Sequence, residues 1–282
     1  MTLSVVIITY NEEANLGRTL ESVKPLVSDG KGEIIVVDSG SSDRTVEIAK
    51  SYEAKVFIEE WKGYAAQKNS AISKASGDWI LSLDADEEVD SEMADIIGNL
   101  LFRKVRHTTH KGVAVNQFAV VATSVLGFWI RRRNYFLGRW MKHGGFWPDP
   151  KLRLFRRGSG IIPDRPVHET VEITGTTRPL REGALVHHCY PTLADYLDHM
   201  NHYSSLGADL AVAKGHRGFS FINIVLRPLA TFIYNYFLRL GFLDGREGLL
   251  LHLYHAVYVS WKYAKAWELA NNADSSSLRS SE

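Results

Sequence analysis

Asp84 and Asp86 stand two residues apart at the end of an apolar run, in Leu81-Ser82-Leu83-Asp84-Ala85-Asp86-Glu87. A strand delivers such a pair to a sheet edge, and the turn after it frees the second side chain to bend away from the first. Hard divalent cations such as Mg2+ or Mn2+ take ligands of this kind, commonly one or two carboxylates completed by phosphate oxygens and water. The chemistry served is cleavage of a bond to phosphate, in which charge grows on a departing diphosphate and must be neutralised. An acidic turn that only caps the next helix has the same spacing, so the pair alone decides nothing.

The elements that must position the pair are legible upstream. Leu3 to Thr9 is a β-branched apolar run, Glu12 to Lys24 has helical spacing through Leu16, Leu20 and Val23, and Glu33 to Val37 is a second apolar run. The cycle continues with a helix near Arg44 to Ser51, a strand at Lys55 to Ile58, a helix near Tyr64 to Ala75 and a strand at Trp79 to Leu83. Such alternation predicts an α/β fold with a mostly parallel sheet and helices on both faces. Crossovers are right-handed and ligands collect beyond the carboxyl ends of the strands, so the candidate site comprises Tyr10-Asn11-Glu12, Asp38-Ser39-Gly40 and Asp84-Ala85-Asp86.

A helix is expected over Ser91 to Leu101 with Ser91 as its cap, followed by a solvated charge run, Arg103 to His107, and a strand at Val113 to Val121. From Gly127 to Gly160 the pattern is irregular, with Arg131-Arg132-Arg133, three Trp residues and several Gly and Pro, and reads as a long loop region. Thr192 to Lys214 is helical, and two amphipathic stretches follow near Phe221 to Leu240 and Arg246 to Leu269. The Ser-rich tail from Asn271 reads as disordered.

A net charge of +1 over 282 residues gives no general pull toward nucleic acid. Cys189 is the single cysteine, so no internal disulfide forms and a reducing compartment fits. The N-terminus has neither a basic leader nor a small-residue cleavage site, and a cytoplasmic location is expected. The uncharged runs Gly218 to Leu226, Pro228 to Leu238 and Gly248 to Trp261 are each shorter than the ~18 residues that suggest a membrane span. Their Trp, Tyr, Phe and Leu, combined with Arg227, Arg239, Lys262 and Lys265, suit either an interfacial helix on an anionic membrane or packing on the core.

Thr9-Tyr10-Asn11-Glu12-Glu13, Val36-Val37-Asp38-Ser39-Gly40-Ser41-Ser42-Asp43-Arg44-Thr45, Gln67-Lys68-Asn69, Gly77-Asp78-Trp79 and Leu83-Asp84-Ala85-Asp86-Glu87 resemble, in order, the family 2 inverting glycosyltransferases of the GT-A fold. Arg132 to Trp140, His143-Gly144-Gly145, Trp147-Pro148-Asp149, Lys151 to Arg156 and Val167-His168-Glu169 resemble the bacterial lipopolysaccharide-core β-1,4-glucosyltransferase branch of that family. The stretch 102 to 126 is longer and more apolar than that branch's pattern, which leaves the acceptor open.

The resemblance implies a nucleotide-sugar site of Thr9, Tyr10, Glu12, Asp38, Lys68 and Asp84, in which Tyr10 and Asp38 hold the base and Glu12 and Asp84 face the ribose. It assigns Asp86 to a Mg2+ or Mn2+ ion and Glu169 as the general base for the acceptor hydroxyl. His187 and His188 point to opposite faces of a strand. A histidine there is ordinarily structural, yet some GT-A enzymes supply one to the metal, which makes His187 a candidate. Arg132, Arg133 and Arg153 suit phosphate groups on an acceptor.

The implied organisation is a GT-A catalytic domain over 1–215, with the nucleotide-sugar side in 1–100 and the acceptor side in 101–190. A helical, membrane-associating region follows over 216–270, and a disordered tail over 271–282. The expected donor is UDP-glucose and the expected acceptor a phosphorylated glycan or glycolipid, on the cytoplasmic face of the inner membrane. A different lipid-linked or exopolysaccharide acceptor, or a non-catalytic glycan-binding scaffold on the same fold, stays open. Nucleotidyl transfer is disfavoured because Thr9 to Glu13 is not the Gly-rich phosphate loop that class needs after its first strand.

Overall fold

The structure, a computed structural model, describes residues 1–102, 124–164 and 170–279. Two expected features, the charge run at 103–107 and the strand at 113–121, lie outside the described residues, as does Glu169. The chain forms two compact units, Met1–Arg132 with Asp149–His187, and Arg133–Pro148 with His188–Glu282.

The first unit opens with β1 (Leu3–Thr9), α1 (Leu16–Val27), β2 (Gly32–Asp38), α2 (Thr45–Ser51), β3 (Lys55–Ile58), α3 (Tyr64–Ser73), β4 (Trp79–Asp84), β5 (Glu87–Val89) and α4 (Ser91–Phe102). Side chains of a strand alternate between faces, and here both faces are covered, so the strands are apolar throughout. Leu3, Val5 and Ile7 of β1 and Val36 of β2 face one core with Leu16, Leu20 and Val23 of α1, Ala49 of α2, and Met93 and Ile97 of α4. Val6, Ile35, Val37 and Ile80 face the opposite core, where the small Ala65 and Ala71 of α3 meet them. Full burial of one such aliphatic side chain contributes about 1.5–3 kcal/mol, which explains why α1 keeps its three-to-four spacing despite Pro25 within it.

The strands β6 (Gly127–Ile130), β9 (Lys151–Arg156) and β12 (Thr177–Pro179) complete a seven-stranded sheet of order β12-β6-β9-β4-β1-β2-β3. β1 runs parallel to β2 and β4, β2 runs parallel to β3, and β9 enters antiparallel between β4 and β6. The expected irregular stretch from Gly127 to Gly160 is therefore corrected: it contributes two strands to the main sheet and, in the second unit, the hairpin of β7 (Arg132–Phe136) and β8 (Arg139–Trp140). These strands are two to six residues long and punctuated by Gly, Pro and Arg, so no period survives in the sequence. A short pair of β10 (Gly160–Ile161) and β11 (Glu172–Ile173) follows, and β13 (Leu185–Tyr190) pairs antiparallel with β5 through Leu185↔Val89 and His187↔Glu87. The cap of α4 is also corrected: Asp90, not Ser91, accepts the Met93 N–H at 2.8 Å.

In the second unit α5 (Leu193–Ala213) begins at a capping box in which Thr192 and Asp195 satisfy each other's backbone N–H groups. A helical run follows: π-helical Ile222–Leu226, α6 (Arg227–Phe232), π-helical Ile233–Leu238 and a 3-10 turn Gly241–Asp244 that leads into α7 (Gly245–Arg279). The helix continues through Arg279, over most of the stretch expected to be disordered. Ala208 and Ala211 of α5 pack against Tyr263 and Ala266 of α7, and Phe136, Met141, Tyr196 and Leu251 form a second small core.

His252 of α7 shows how tightly this unit is closed. A Cβ on Gly144 would fall 2.0 Å from its ring and one on Gly241 2.3 Å from Nε2, so both positions require glycine. Neither ring nitrogen has a hydrogen-bond partner among the described residues. Burial, with His255 and Arg239 adding to it and Asp244 opposing, pushes this imidazole down to about 4 from its ordinary 6.5. The unfolded chain then takes up a proton between pH 6.5 and about 4 that the native state does not, so stability is lost as pH falls through that window. The loss should reach about 3 kcal/mol, read as the difference between denaturant melts of the wild type and His252→Leu across that range. Parallel pH profiles for the two proteins would contradict it.

Candidate active site

Backbone register sets the site before any side chain does. Thr9 pairs with Asp38 and Ile8 with Asp84, so the carboxyl ends of β1, β2 and β4 lie level with one another. β1 lies between β2 and β4, the position in an open parallel sheet at which the strand order reverses and a crevice opens.

Asp84 ends β4 held by two cations. Lys68 Nζ, delivered by α3, lies 2.6 Å from Asp84 Oδ1, and Arg153 of β9 donates through Nη2 to Oδ2. Burial alone would push this carboxyl up, but Arg153 and Lys68 outweigh it and hold Asp84 well below the usual carboxylate range. The chain of charge continues through Glu87, which has no exposed surface: Arg153 Nη2 donates to its Oε1 at 2.7 Å and Arg132 Nη1 at 3.0 Å. Its other oxygen, Oε2, accepts the Asp84 backbone N–H at 3.1 Å, which closes the turn between β4 and β5. Arg132 reaches Asp149 through Nε and Nη2, at 3.0 and 2.7 Å, and Lys151 Nζ stands 3.0 Å from the other oxygen of Asp149. Burial works against the charge on Arg132 and Arg153, and their carboxylate neighbours reverse that and raise both.

Asp86, two residues on, has a different partner. His187 Nε2 of β13 lies 3.2 Å from Asp86 Oδ2. Burial opposes its ionisation, and His187 overcomes that and keeps Asp86 below its usual range. Glu12 faces the same space. Its carboxyl is raised, by burial first and then by the negative charge of Asp86, Asp43 and Asp84, against a hydrogen bond from Asn15 Nδ2 at 2.9 Å. Carboxylate and imidazole are both donors that a divalent cation takes. Among the described residues no group of three or more His, Cys, Asp or Glu side chains would hold a metal on its own. Asp86 and His187, both expected as metal ligands, stand together as a pair, and the rest of a coordination shell would have to come from a diphosphate and water.

The other expected residues divide. Asp38 is fully buried, and its Oδ1 accepts the N–H groups of Gly40 and Ser41 at 3.0 and 2.8 Å while Oδ2 accepts the hydroxyls of Thr9 and Ser41 at 2.8 and 2.5 Å. Thr9 and Asp38 thus brace the loop after β2. Tyr10 is exposed at the tip of β1, and Asn11, at φ 55°, accepts from Ser42 N at 2.9 Å and so ties that tip to the same loop. Arg132 and Arg153, expected together with Arg133 as phosphate ligands, lie in the carboxylate network, whereas Arg133 belongs to the second unit and stacks over Trp140 at 5.2 Å. Glu169 and the adjacent His168 lie outside the described residues. Sequence reasoning gave no role to Glu87, Asp149 or the brace made by Ser41. A signal for Glu87 existed in the acidic turn facing an Arg-rich segment, but a Glu in a turn ordinarily reads as solvated.

Residues 4–159 match the model of Glycosyl transferase family 2. The lipopolysaccharide core biosynthesis glycosyltransferase LpsC of Rhizobium meliloti is 30% identical over 279 residues, which cover 95% of this chain and 93% of that protein. An uncharacterised glycosyltransferase of Rickettsia typhi is 47% identical over 95 residues, 34% of this chain and 31% of that one. Among solved structures, a mannosyltransferase of Pyrobaculum calidifontis in complex with GDP-Man and Mn2+ superposes with a TM-score of 0.52 over 94% of this chain and 86% of its own, at 14% identity. The last likeness concerns the fold alone, and it agrees with the GT-A architecture of the mostly parallel sheet. With the carboxylate-lined strand ends and a full-length relative in lipopolysaccharide core synthesis, this chain is a glycosyltransferase and belongs to glycosyl transferase family 2.

Proposed function

We propose that the enzyme transfers glucose from UDP-glucose to a lipopolysaccharide-core sugar or a related envelope glycan, with inversion at the anomeric carbon, on the cytoplasmic side of the cell envelope. The observation that carries the reading is the arrangement at the ends of β1 and β4, where Asp86 faces His187 beside Asp84 and Glu12. The Rhizobium relative's role in lipopolysaccharide core biosynthesis supports the acceptor class, and the Pyrobaculum protein's complex with a nucleotide sugar and Mn2+ supports the donor class and the metal.

In this reading Asp86 and His187 hold a Mg2+ or Mn2+ ion, which when bound neutralises charge on the leaving diphosphate. Asp84, fixed by Lys68 and Arg153, and Glu12 face the ribose, while Thr9 and Asp38 brace the loop beside Tyr10 against which the base lies. Glu169 accepts the proton of the acceptor hydroxyl as its oxygen displaces the nucleoside diphosphate in one step. Arg132 and Arg153 hold Glu87 in the turn, and Arg153 with Lys68 keeps Asp84 ionised. Arg133, which stacks over Trp140 in the second unit, is assigned to an acceptor phosphate.

Three measurements test this. UDP release from UDP-glucose should require Mg2+ or Mn2+ and stop with EDTA, and Asp86→Asn should lower kcat by about 10²–10³-fold. Metal-independent release, or turnover of other sugar nucleotides only, would reject the metal or the donor. Glu169→Gln should lower kcat by about 10²–10⁴-fold while donor affinity measured by calorimetry stays unchanged. Near-normal turnover there removes Glu169 from the mechanism. Glu87→Gln leaves Arg132 and Arg153 each with one remaining carboxylate, and should cost about 2–3 kcal/mol of stability in denaturant melts. A loss within the error of the melts would mean that the buried carboxylate is not what holds the two arginines.

A further inference from the structure

Among the described residues no helix is long and apolar enough to cross a membrane. The second unit nevertheless exposes a long file of large apolar side chains. Ile222, Leu226, Leu229, Ile233 and Phe237 recur every three or four residues along the helical run, with Phe221 beside the first, and Ile222 is 64% and Leu238 70% exposed. Leu249 and Leu253, four apart on the first turns of α7, are exposed as well. Scattered exposed leucines need no explanation, whereas a continuous stripe on one helical segment marks a contact surface.

Two observations name what covers it. From Lys214 to Leu243 the chain carries Lys214, Arg217, Arg227 and Arg239 and not one Asp or Glu. Apolar side chains flanked by charge of a single sign suit a surface of anionic headgroups. A second copy of the chain, related by a two-fold axis, would instead bring arginine against arginine. At the start of the segment a notch of about 280 Å3 is lined by His216, Arg217, Ser220, Asn223 and Tyr263, next to the exposed Phe219 and Phe221. It presents polar donors beside an apolar stripe, the pairing that a lipid phosphate and its acyl chains require.

The sequence attributed basic character to Lys262 and Lys265 too. Lys265 Nζ binds the Asn201 carbonyl and the hydroxyls of Ser204 and Ser205 on α5 at 2.7 to 2.9 Å, which removes it from the face, and Lys262 and Arg227 both lie over the Tyr263 ring, at 4.7 and 5.0 Å, so that Lys214, Arg217 and Arg239 supply the remaining basic charge of the segment. Membrane contact and core packing, alternatives for one set of residues in the sequence, fall on different segments. Ala256, Tyr263, Ala266 and Ala270 are buried in the unit's core.

We propose that residues 219–243, with the first turns of α7, form a docking face for an anionic lipid bilayer. The helical run lies in the plane of the surface, its aromatic and aliphatic side chains enter the boundary between headgroups and acyl chains, and the notch at His216 and Arg217 takes a lipid phosphate. This inference stands apart from the donor and acceptor assigned above, because it concerns neither.

The test is flotation of the full chain with vesicles of phosphatidylcholine alone or mixed with phosphatidylglycerol. The wild type should float with the anionic vesicles and be released by raising salt from about 0.05 to 0.5 M. Ile222→Ser/Leu229→Ser/Phe237→Ser, all at exposed positions, should reduce the bound fraction roughly tenfold or more, with melting temperature and UDP release in solution unchanged. Arg217→Gln should weaken binding to anionic vesicles and leave the melting temperature unchanged. Absence of flotation, or equal flotation of the triple variant, overturns the proposal. Light scattering that shows a dimer broken by the same three substitutions, with no dependence on lipid, gives the face to a second copy and overturns it equally.

Discussion

A carboxylate taken out of water without a partner costs several kcal/mol, and Glu87 has no exposed surface at all. Much of the first unit can be understood as the means of meeting that cost. Two arginines must reach one turn, and they come from segments far along the chain: Arg153 from β9 and Arg132 from the start of β7. β9 can deliver Arg153 only by lying beside β4, and the register Leu81↔Leu154 sets it next to the strand that ends in Asp84. The antiparallel insertion in an otherwise parallel region thus has an electrostatic reason. Apolar residues in place of the network would keep a sheet, but not one with a carboxylate fixed at its edge.

The same constraint explains why β5 and β13 pair. β5 is three residues long and would not persist by itself, yet it carries Glu87 and follows Asp86 directly. Pairing His187 with Glu87 fixes β13 in register, and that register brings the His187 imidazole to Asp86. One three-residue strand therefore holds a buried anion on one side of the turn and sets the partner of a second anion on the other.

The parallel half of this arrangement was legible in the sequence, because strands covered on both faces are continuous apolar runs and helices packed on them keep a period of 3.6. β3 falls where the pattern places it, at Lys55–Ile58, and the helix from Thr192 begins at a side chain that caps it. Residues 127–160 were not legible. β8 is two residues long and β6 four, and strands so short leave no alternation to read. Asp38, which the family resemblance sets at the base, is fully buried and accepts four hydrogen bonds, a burial that residue identity alone does not reveal. Ser91 has the chemistry of a cap, but Asp90, one residue earlier, has the position. Arg132 and Arg133 are neighbours in sequence, and strand alternation with the division into units sends them to different surroundings. Such outcomes depend on which distant segment arrives, which local pattern does not encode.

Asp84 and Asp86 began as an equivalent pair, and their partners separate them. Lys68 and Arg153 set an ammonium and a guanidinium against the two oxygens of Asp84. A cation that approached Asp84 would have to displace both. Asp86 meets a single imidazole, whose nitrogen turns from donor to ligand when its proton leaves. Asp86 lies close enough to Glu12 that its negative charge adds to burial in raising the Glu12 carboxyl. Of the two, Asp86 is therefore the residue from which a divalent cation has least to displace and most to gain. Asp84, already neutralised, is left to act through fixed position rather than through charge.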